Sequence, residues 1–118
     1  MDKNKITYKI INDDAANITA GHTLDNSNVH EMVDIITALQ EKQYKYIIID
    51  MTALEFISSA GVGAFLGTVE SSREIGGDII LFGASDDVKH IFDILDLLDY
   101  LVILPDKETA NQHCKLNV

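Results

Sequence analysis

The chain has 118 residues, the length of one ordinary domain, so we expect a single core over residues 1–118. Hydrophobic residues make up 47% of it and charged residues 24%, which is typical of a soluble globular protein, and no apolar run reaches the ~20 residues of a membrane span. The net charge of −10 disfavours nucleic acid and anionic membranes as partners; it favours a basic partner surface or serves solubility alone.

The N-terminal segment and the single cysteine limit the compartment and the chemistry. The segment MDKNKITYKI lacks an apolar core and a small-residue cleavage site, so we expect no secretion and a cytoplasmic location. Cys114 is the only cysteine, which rules out an internal disulfide or a thiolate metal cage. The sequence also shows no Gly-rich phosphate loop and no His-x-x-x-His pair, so we expect no cofactor and no metal.

The first part of the chain predicts a hairpin followed by a helix. Residues 6–11 and 17–24 have the composition of strands, and the polar residues 12–14 between them form a turn. After Asn28, apolar residues recur at helical spacing over residues 29–39. Asn28 followed by Glu31 predicts a start that resembles a capping box.

The rest of the chain alternates strands and helices. The run YKYIIID, residues 44–50, is continuously apolar at its centre and predicts a strand covered on both faces. The further predicted elements are a helix over residues 62–75, a strand over 78–83, a helix that begins at Ser85, a strand over 101–104 and a terminal helix over 107–115. The order ββαβαβαβ(α) predicts an α/β domain with a mixed sheet of four to five strands.

Two serines stand at the junction EFISSAGVGAFLG, residues 55–67, between an apolar run and a helical pattern. A serine at a helix start can cap the helix, because its hydroxyl accepts a hydrogen bond from a free backbone N–H group. It can also be a phosphoacceptor, because a helix N-terminus stabilises a phosphate and leaves it visible to a partner. One serine is enough for the cap, so the second one raises the question of modification.

The surrounding segment YIIIDMTALEFISSAGVGAFLG resembles the STAS-domain signature of bacterial anti-sigma-factor antagonists. That signature is a buried strand ending in Asp, a loop with an apolar residue and Phe, and a serine-containing turn that opens a helix. The stretches GGDIILFGASDDVKHIFDILDLLDYLVIL and ITAGHTLDNSNVHEM are similar to the family's later strands and helices and to its second strand. The resemblance covers nearly the whole chain and is most specific around residue 59.

The resemblance implies roles for particular residues. The family's phosphorylated serine falls on Ser59, and its strand-terminal aspartate falls on Asp50. Many relatives carry aspartate where this chain has Ser58 and a second hydroxyl where it has Ala60, so Ser58 becomes a second candidate acceptor.

The start of the helix is then the expected contact patch for a partner. It comprises Asp50, Ser58, Ser59 and the exposed face near Gly61, Val62 and Gly63. Small residues there permit close approach of a partner backbone. The alternative is that these glycines only ease packing against the sheet.

The resemblance also implies a mechanism without catalysis by this chain. In the family, the unmodified domain binds a serine kinase of the histidine-kinase-like ATPase fold, which is also the anti-sigma factor, and so frees the sigma factor. Phosphorylation ends the binding, and a metal-dependent, PP2C-type serine phosphatase restores it. We expect a monomer, because a small domain of this size needs no second chain to finish its core.

Three other interpretations stay open at this point. One is a response-regulator receiver, whose Mg²⁺-binding acidic triad would be matched by Asp13, Asp14 and Asp50. Two features oppose it, since a second strand follows the first acidic pair and no lysine ends the last strand. An enzyme is disfavoured, because Ser59 lacks the Gly-x-Ser-x-Gly pattern of a nucleophile elbow. A STAS domain that acts as a constitutive adaptor in a signalling or transport complex would use Ser59 only as a cap.

Overall fold

The computed structural model describes residues 3–115. The elements are β1 Thr7–Ile10, β2 Ala15–Thr19, β3 Thr23–Leu24, α1 Val29–Glu41, β4 Tyr46–Asp50, β5 Phe56–Ile57, α2 Ser59–Leu66, α3 Val69–Glu74, β6 Asp78–Phe82, α4 Asp86–Ile94, β7 Val102–Leu104 and α5 Lys107–His113. Residues 1, 2 and 116–118, which belong to the predicted domain, lie outside the described residues.

The main sheet has five strands in the order β1-β2-β4-β6-β7. Strands β1 and β2 form the predicted antiparallel hairpin, and the remaining neighbours are parallel. The parallel pairs are joined by crossovers that contain helices, as the alternation of strands and helices predicts. The predicted α/β domain with a mixed sheet is therefore confirmed.

The core lies on both faces of the central strands. On one face, Ile47 and Ile49 of β4 belong to the larger core cluster, which also contains buried residues of α1, α2, α3 and α4. On the other face, Ile48 packs with Ala110 and Cys114 at α5. This two-sided burial is the reason for the continuous apolar run in β4. No helix within residues 3–115 has the length and apolar character needed to cross a bilayer.

The segment predicted as one strand over residues 17–24 is two separate strands. β2 ends at Thr19, and β3 begins at Thr23 in a different, two-stranded sheet with β5. The chain turns at Gly21, where a Cβ atom would lie 2.5 Å from the Cα of Asn4. Only glycine permits this close approach to the N-terminal segment. The His22 N–H also donates a hydrogen bond to the Lys3 carbonyl of that segment.

The single helix predicted over residues 62–75 is also divided, into α2 and α3. At the break, the Thr68 hydroxyl donates to the Ala64 carbonyl, at 2.7 Å. The Gln40 side chain of α1 donates to the Thr68 carbonyl at 2.8 Å and to the Ser72 hydroxyl at 3.0 Å. A side chain from another helix thus satisfies the polar groups that the break exposes.

The helix starts predicted at Ser85 and at Asn28 differ in outcome. The helix predicted to begin at Ser85 is present as α4, and the Ser85 hydroxyl caps it by accepting a hydrogen bond from the Val88 N–H. Asn28 precedes α1, but its side chain makes no cap bond to the helix, so the predicted capping box is wrong. The Asn28 amide instead accepts from the Asp25 N–H and donates to the Thr23 carbonyl, because the loop from β3 passes within its reach.

Candidate functional site

The two-stranded sheet of β3 and β5 holds the serine junction in place. Thr23 pairs with Phe56, and Leu24 pairs with Ile57. The Ser58 N–H then donates to the Leu24 carbonyl at 3.0 Å, so the pairing continues to the start of α2. Two stretches that lie about thirty residues apart in the sequence thus meet to build one turn.

Ser58 is the N-cap of α2. Its backbone is extended, with φ −89° and ψ 172°, and its hydroxyl accepts a hydrogen bond from the Gly61 N–H at 3.2 Å. Its carbonyl accepts the first intrahelical bond, from the Val62 N–H at 3.0 Å. The hydroxyl of Ser58 is therefore used by the helix itself.

Ser59 is the first residue of α2 and is exposed to solvent. Among the hydrogen bonds of residues 3–115, none involves the Ser59 side chain. Its hydroxyl lies at the positive end of the helix dipole, near backbone N–H groups that have no intrahelical partner. The two serines of the junction are therefore in different situations, since one caps the helix and the other is free for chemistry.

The exposed face expected at Gly61, Val62 and Gly63 is present only at Gly63. A Cβ atom at Gly61 would lie 2.7 Å from both Ile57 Cγ1 and the Leu24 carbonyl oxygen, and the Val62 side chain is 2% exposed. Gly61 faces β3 and β5 and Val62 belongs to the core cluster, so their expected exposure is wrong and Gly61 serves packing. Gly63 is exposed and has no neighbouring atom within 4 Å of where a Cβ atom would stand.

Asp50 ends β4 beside the turn that leads towards the junction. Its carboxylate accepts hydrogen bonds from the Thr52 N–H at 2.9 Å and from the Thr52 hydroxyl at 2.7 Å. Its carbonyl accepts from the Ala20 N–H, at the point where the chain leaves β2 for β3. Asp50 therefore holds the two loops that lead to β3 and β5, and no described hydrogen bond joins it to Ser59.

The acidic residues that imitate a receiver triad are not brought together. The Asp14 carbonyl accepts a hydrogen bond from the N–H of Tyr46, which is the first residue of β4. Asp50 is the last residue of the same strand. A five-residue strand places these ends about 13 Å apart. Within residues 3–115, no group of three or more His, Cys, Asp or Glu side chains is arranged to hold a metal ion.

Phe56 and its neighbours are surface features of the site that the sequence did not single out. Phe56 is 54% exposed, while the next residue, Ile57, points into the core. Beside it, the His22 imidazole and the Glu55 carboxylate lie 3.8 Å apart at the surface. The alternation of exposed and buried residues in β5 is the signal by which Phe56 could have been found.

The stretch of chain around Ser59 differs in charge from the rest of the sequence. Residues 56–69 contain no charged side chain, although the chain has a net charge of −10. The loop that follows β3 carries Asp25, whose pKa is lowered by hydrogen bonds from the hydroxyl and the N–H of Ser27. A partner that contacts α2 therefore meets a helix without charged side chains of its own.

Comparison with known proteins agrees with this architecture. The model of the STAS domain family matches residues 8–110. An anti-sigma-B factor antagonist of Listeria monocytogenes is 28% identical over 90 residues, which cover 76% of this chain and 79% of that protein.

Two solved structures have the same fold. The structure of the anti-sigma factor antagonist SpoIIAA in its unphosphorylated form has a TM-score of 0.81 and is 22% identical; the match covers 97% of this chain and all of that one. The structure of the Bacillus cell fate determinant SpoIIAA in its phosphorylated form has a TM-score of 0.73 and is 20% identical, covering 92% and 99%. The family resemblance found in the sequence is thus confirmed.

Proposed function

The chain belongs to the STAS domain family, and from this premise we propose that it is an anti-sigma-factor antagonist controlled by phosphorylation of Ser59. In its unmodified form it binds a serine kinase of the histidine-kinase-like ATPase fold that is also an anti-sigma factor, and a sigma factor is released. The relatives named above support the proposal, since they are anti-sigma factor antagonists and one of them has been solved in its phosphorylated form.

The observation that carries the proposal is the free, exposed hydroxyl of Ser59 at the start of α2. A phosphate on Ser59 leaves the hydrogen bond between Ser58 and Gly61 intact, and the helix dipole stabilises its negative charge. Ser58 is half-buried and already engaged as the cap, so it is the less favourable acceptor of the two. Ser59 is therefore the regulated residue and Ser58 at most a second one.

The switch needs no large rearrangement of the domain. Phosphorylation adds about −1.5 to −2 charges at a surface that carries none over residues 56–69. Burying such a charge against a partner without a compensating cation costs several kcal/mol, and about 3 kcal/mol already changes an affinity more than a hundredfold. A PP2C-type serine phosphatase then returns the domain to its binding form.

The proposal also includes a cellular compartment and an assembly state for this protein. A domain that acts between a cytoplasmic kinase and a sigma factor works in the cytoplasm. It acts as a monomer, because a domain of this size needs no second chain to finish its core. It contributes no catalysis, because the phosphate is added and removed by other proteins.

We predict opposite behaviour for two substitutions of Ser59. Ser59→Glu should weaken binding to the purified kinase by at least about tenfold, because it places a charge in the contact. Ser59→Ala should bind as the unmodified protein does and should resist phosphorylation by the kinase and ATP. Binding is measured by titration calorimetry and phosphate incorporation by intact mass, with Ser58→Ala as the control that keeps the acceptor.

Phosphosite mapping in native cells, grown with and without stress, tests the regulation directly. A phosphate on Ser59 whose occupancy changes between conditions supports the switch. Equal kinase affinity of the wild type and both Ser59 variants contradicts it. Absence of phosphate in every condition, with a partner still bound, would make the constitutive adaptor the better description.

A further inference from the structure

Phe56 is an aromatic side chain left exposed beside the phosphoacceptor. Within residues 3–115, six large hydrophobic side chains are exposed, and Phe56 is the only one of them between β4 and α3. The others belong to β1 or to α4 and the loop that follows it: Tyr8, Ile10, Ile94, Leu95 and Tyr100. Burial of Ile57 and the pairing of Phe56 with Thr23 fix the direction of the Phe56 side chain outward.

An interface centred on Ser59 has room for Phe56 as well. Three residues of chain span at most about 11 Å, so the Cα atoms of the two residues lie within that distance of each other. A standard protein interface covers roughly 800 Å² on each partner, which is a patch of about 16 Å radius. A patch of that radius centred on Ser59 extends beyond the Cα atom of Phe56.

We infer that Phe56 is the apolar anchor by which this domain holds its kinase, and that the anchor makes phosphorylation of Ser59 effective. The inference rests on the proposed function. Aromatic residues at the centre of an interface are the usual energetic hot spots, because binding buries a large apolar surface that was exposed to water. Residues 56–69 contain no charged side chain, so the chain on the Ser59 side of Phe56 is uncharged, whereas Glu55 lies on its other side.

The position of the anchor explains how a single phosphate acts. A phosphate on Ser59 would be enclosed with the Phe56 ring under the same partner, where water is excluded and an unpaired charge is costly. The exposed Gly63, one turn beyond Ser59 on α2, adds no side chain that would hold the partner away. The apolar contact and the charge that opposes it thus share one patch.

The experiment measures the dissociation constant of the purified anti-sigma kinase for five proteins: wild type, Phe56→Ala, Phe56→Leu, Ser59→Glu and the double variant Phe56→Ala/Ser59→Glu. Phe56→Ala should weaken binding about tenfold or more, and Phe56→Leu should keep most of the affinity. In the double variant, the total loss of binding free energy should be smaller than the sum of the two single losses, because Phe56→Ala has already removed the contact that the charge disrupts.

Tyr8→Ala is the matched control. Tyr8 is 56% exposed and lies on the edge strand β1 of the main sheet, so its removal should leave the affinity within about twofold of the wild type. Urea unfolding of each variant checks that the fold is kept, which is expected because both rings are more than half exposed.

The outcomes separate the two proposals. If Ser59→Glu weakens binding and Phe56→Ala does not, the anchor is wrong while the proposed function stands. The same holds if Phe56→Ala and Tyr8→Ala weaken binding equally. If Ser59→Glu leaves the affinity unchanged, the proposed function fails and the anchor fails with it.

Discussion

Ser58 and Ser59 are chemically identical neighbours whose roles are separated by the backbone. Ser58 is extended and lies before the first turn of α2, which directs its hydroxyl to the Gly61 N–H. Ser59 has already entered the helix, and no described hydrogen bond engages its hydroxyl. A difference of one position along the chain therefore decides which serine stabilises the fold and which is available to a kinase.

Stability measurements should distinguish the two serines. Ser58→Ala should lower the free energy of unfolding by about 1 kcal/mol, because the Gly61 N–H loses its partner. Ser59→Ala removes no described hydrogen bond and should change that free energy by less than about 0.5 kcal/mol. Urea denaturation followed by circular dichroism checks both values, and equal effects of the two substitutions would contradict the division of roles.

At the scale of elements, α2 is held by the small sheet of β3 and β5 on its inner side. Gly61 faces that sheet so closely that a methyl group has no room, whereas Gly63, two residues on, faces open space. Burial accounts for the apolar residues on the inner side of α2, whereas its outer side is open to solvent. Only the outer side can contact a partner.

The two glycines of α2 should respond oppositely to alanine. Gly61→Ala should destabilise the protein by about 1 to 3 kcal/mol, because the new Cβ atom would collide with Ile57 and the Leu24 carbonyl. Gly63→Ala should be neutral or stabilising by up to about 1 kcal/mol, because alanine favours an exposed helix interior. Thermal unfolding of both variants tests this. A loss of stability in Gly63→Ala similar to that in Gly61→Ala would contradict the assignment of Gly61 to the packed side and Gly63 to the open side of α2.

At the scale of the whole molecule, α5 closes the second face of the sheet with Ala110 and Cys114. Burial raises the pKa of the Cys114 thiol to about 11, and the negative charge of Asp78 adds to the shift. The thiolate is the reactive form, so a raised pKa lowers reactivity at neutral pH. The only cysteine of the chain is thus a reporter of whether this face is closed.

Labelling of Cys114 should follow unfolding of the molecule. At pH 8 the native protein should react with a disulfide reagent at least about a hundredfold more slowly than the protein in urea, since the native thiol is both protonated and 5% exposed. The native rate should rise with pH towards the folded pKa. Equal rates in buffer and in urea would show that α5 does not cover this face.

Much of the architecture follows from patterns within short stretches of sequence. The continuous apolar run of β4, the Ser85 cap and the alternation of strands and helices each depend on neighbouring residues, and all three were predicted correctly. The divided strand at Gly21 and the divided helix at Thr68 were not, because Asn4 and Gln40 act on them from distant parts of the chain.

Periodicity, turn residues and a local signature were enough to predict the α/β fold, the family and the short stretch that contains the candidate switch. Which residues of that stretch face solvent depends on the folded structure. The fold buries Gly61 against Leu24, leaves Ser59 and Phe56 exposed, and places Asp14 beside the start of β4, whereas Asp50 is at its end. Exposure depends on contacts between segments far apart in the chain, and those contacts exist only once the sheet has formed.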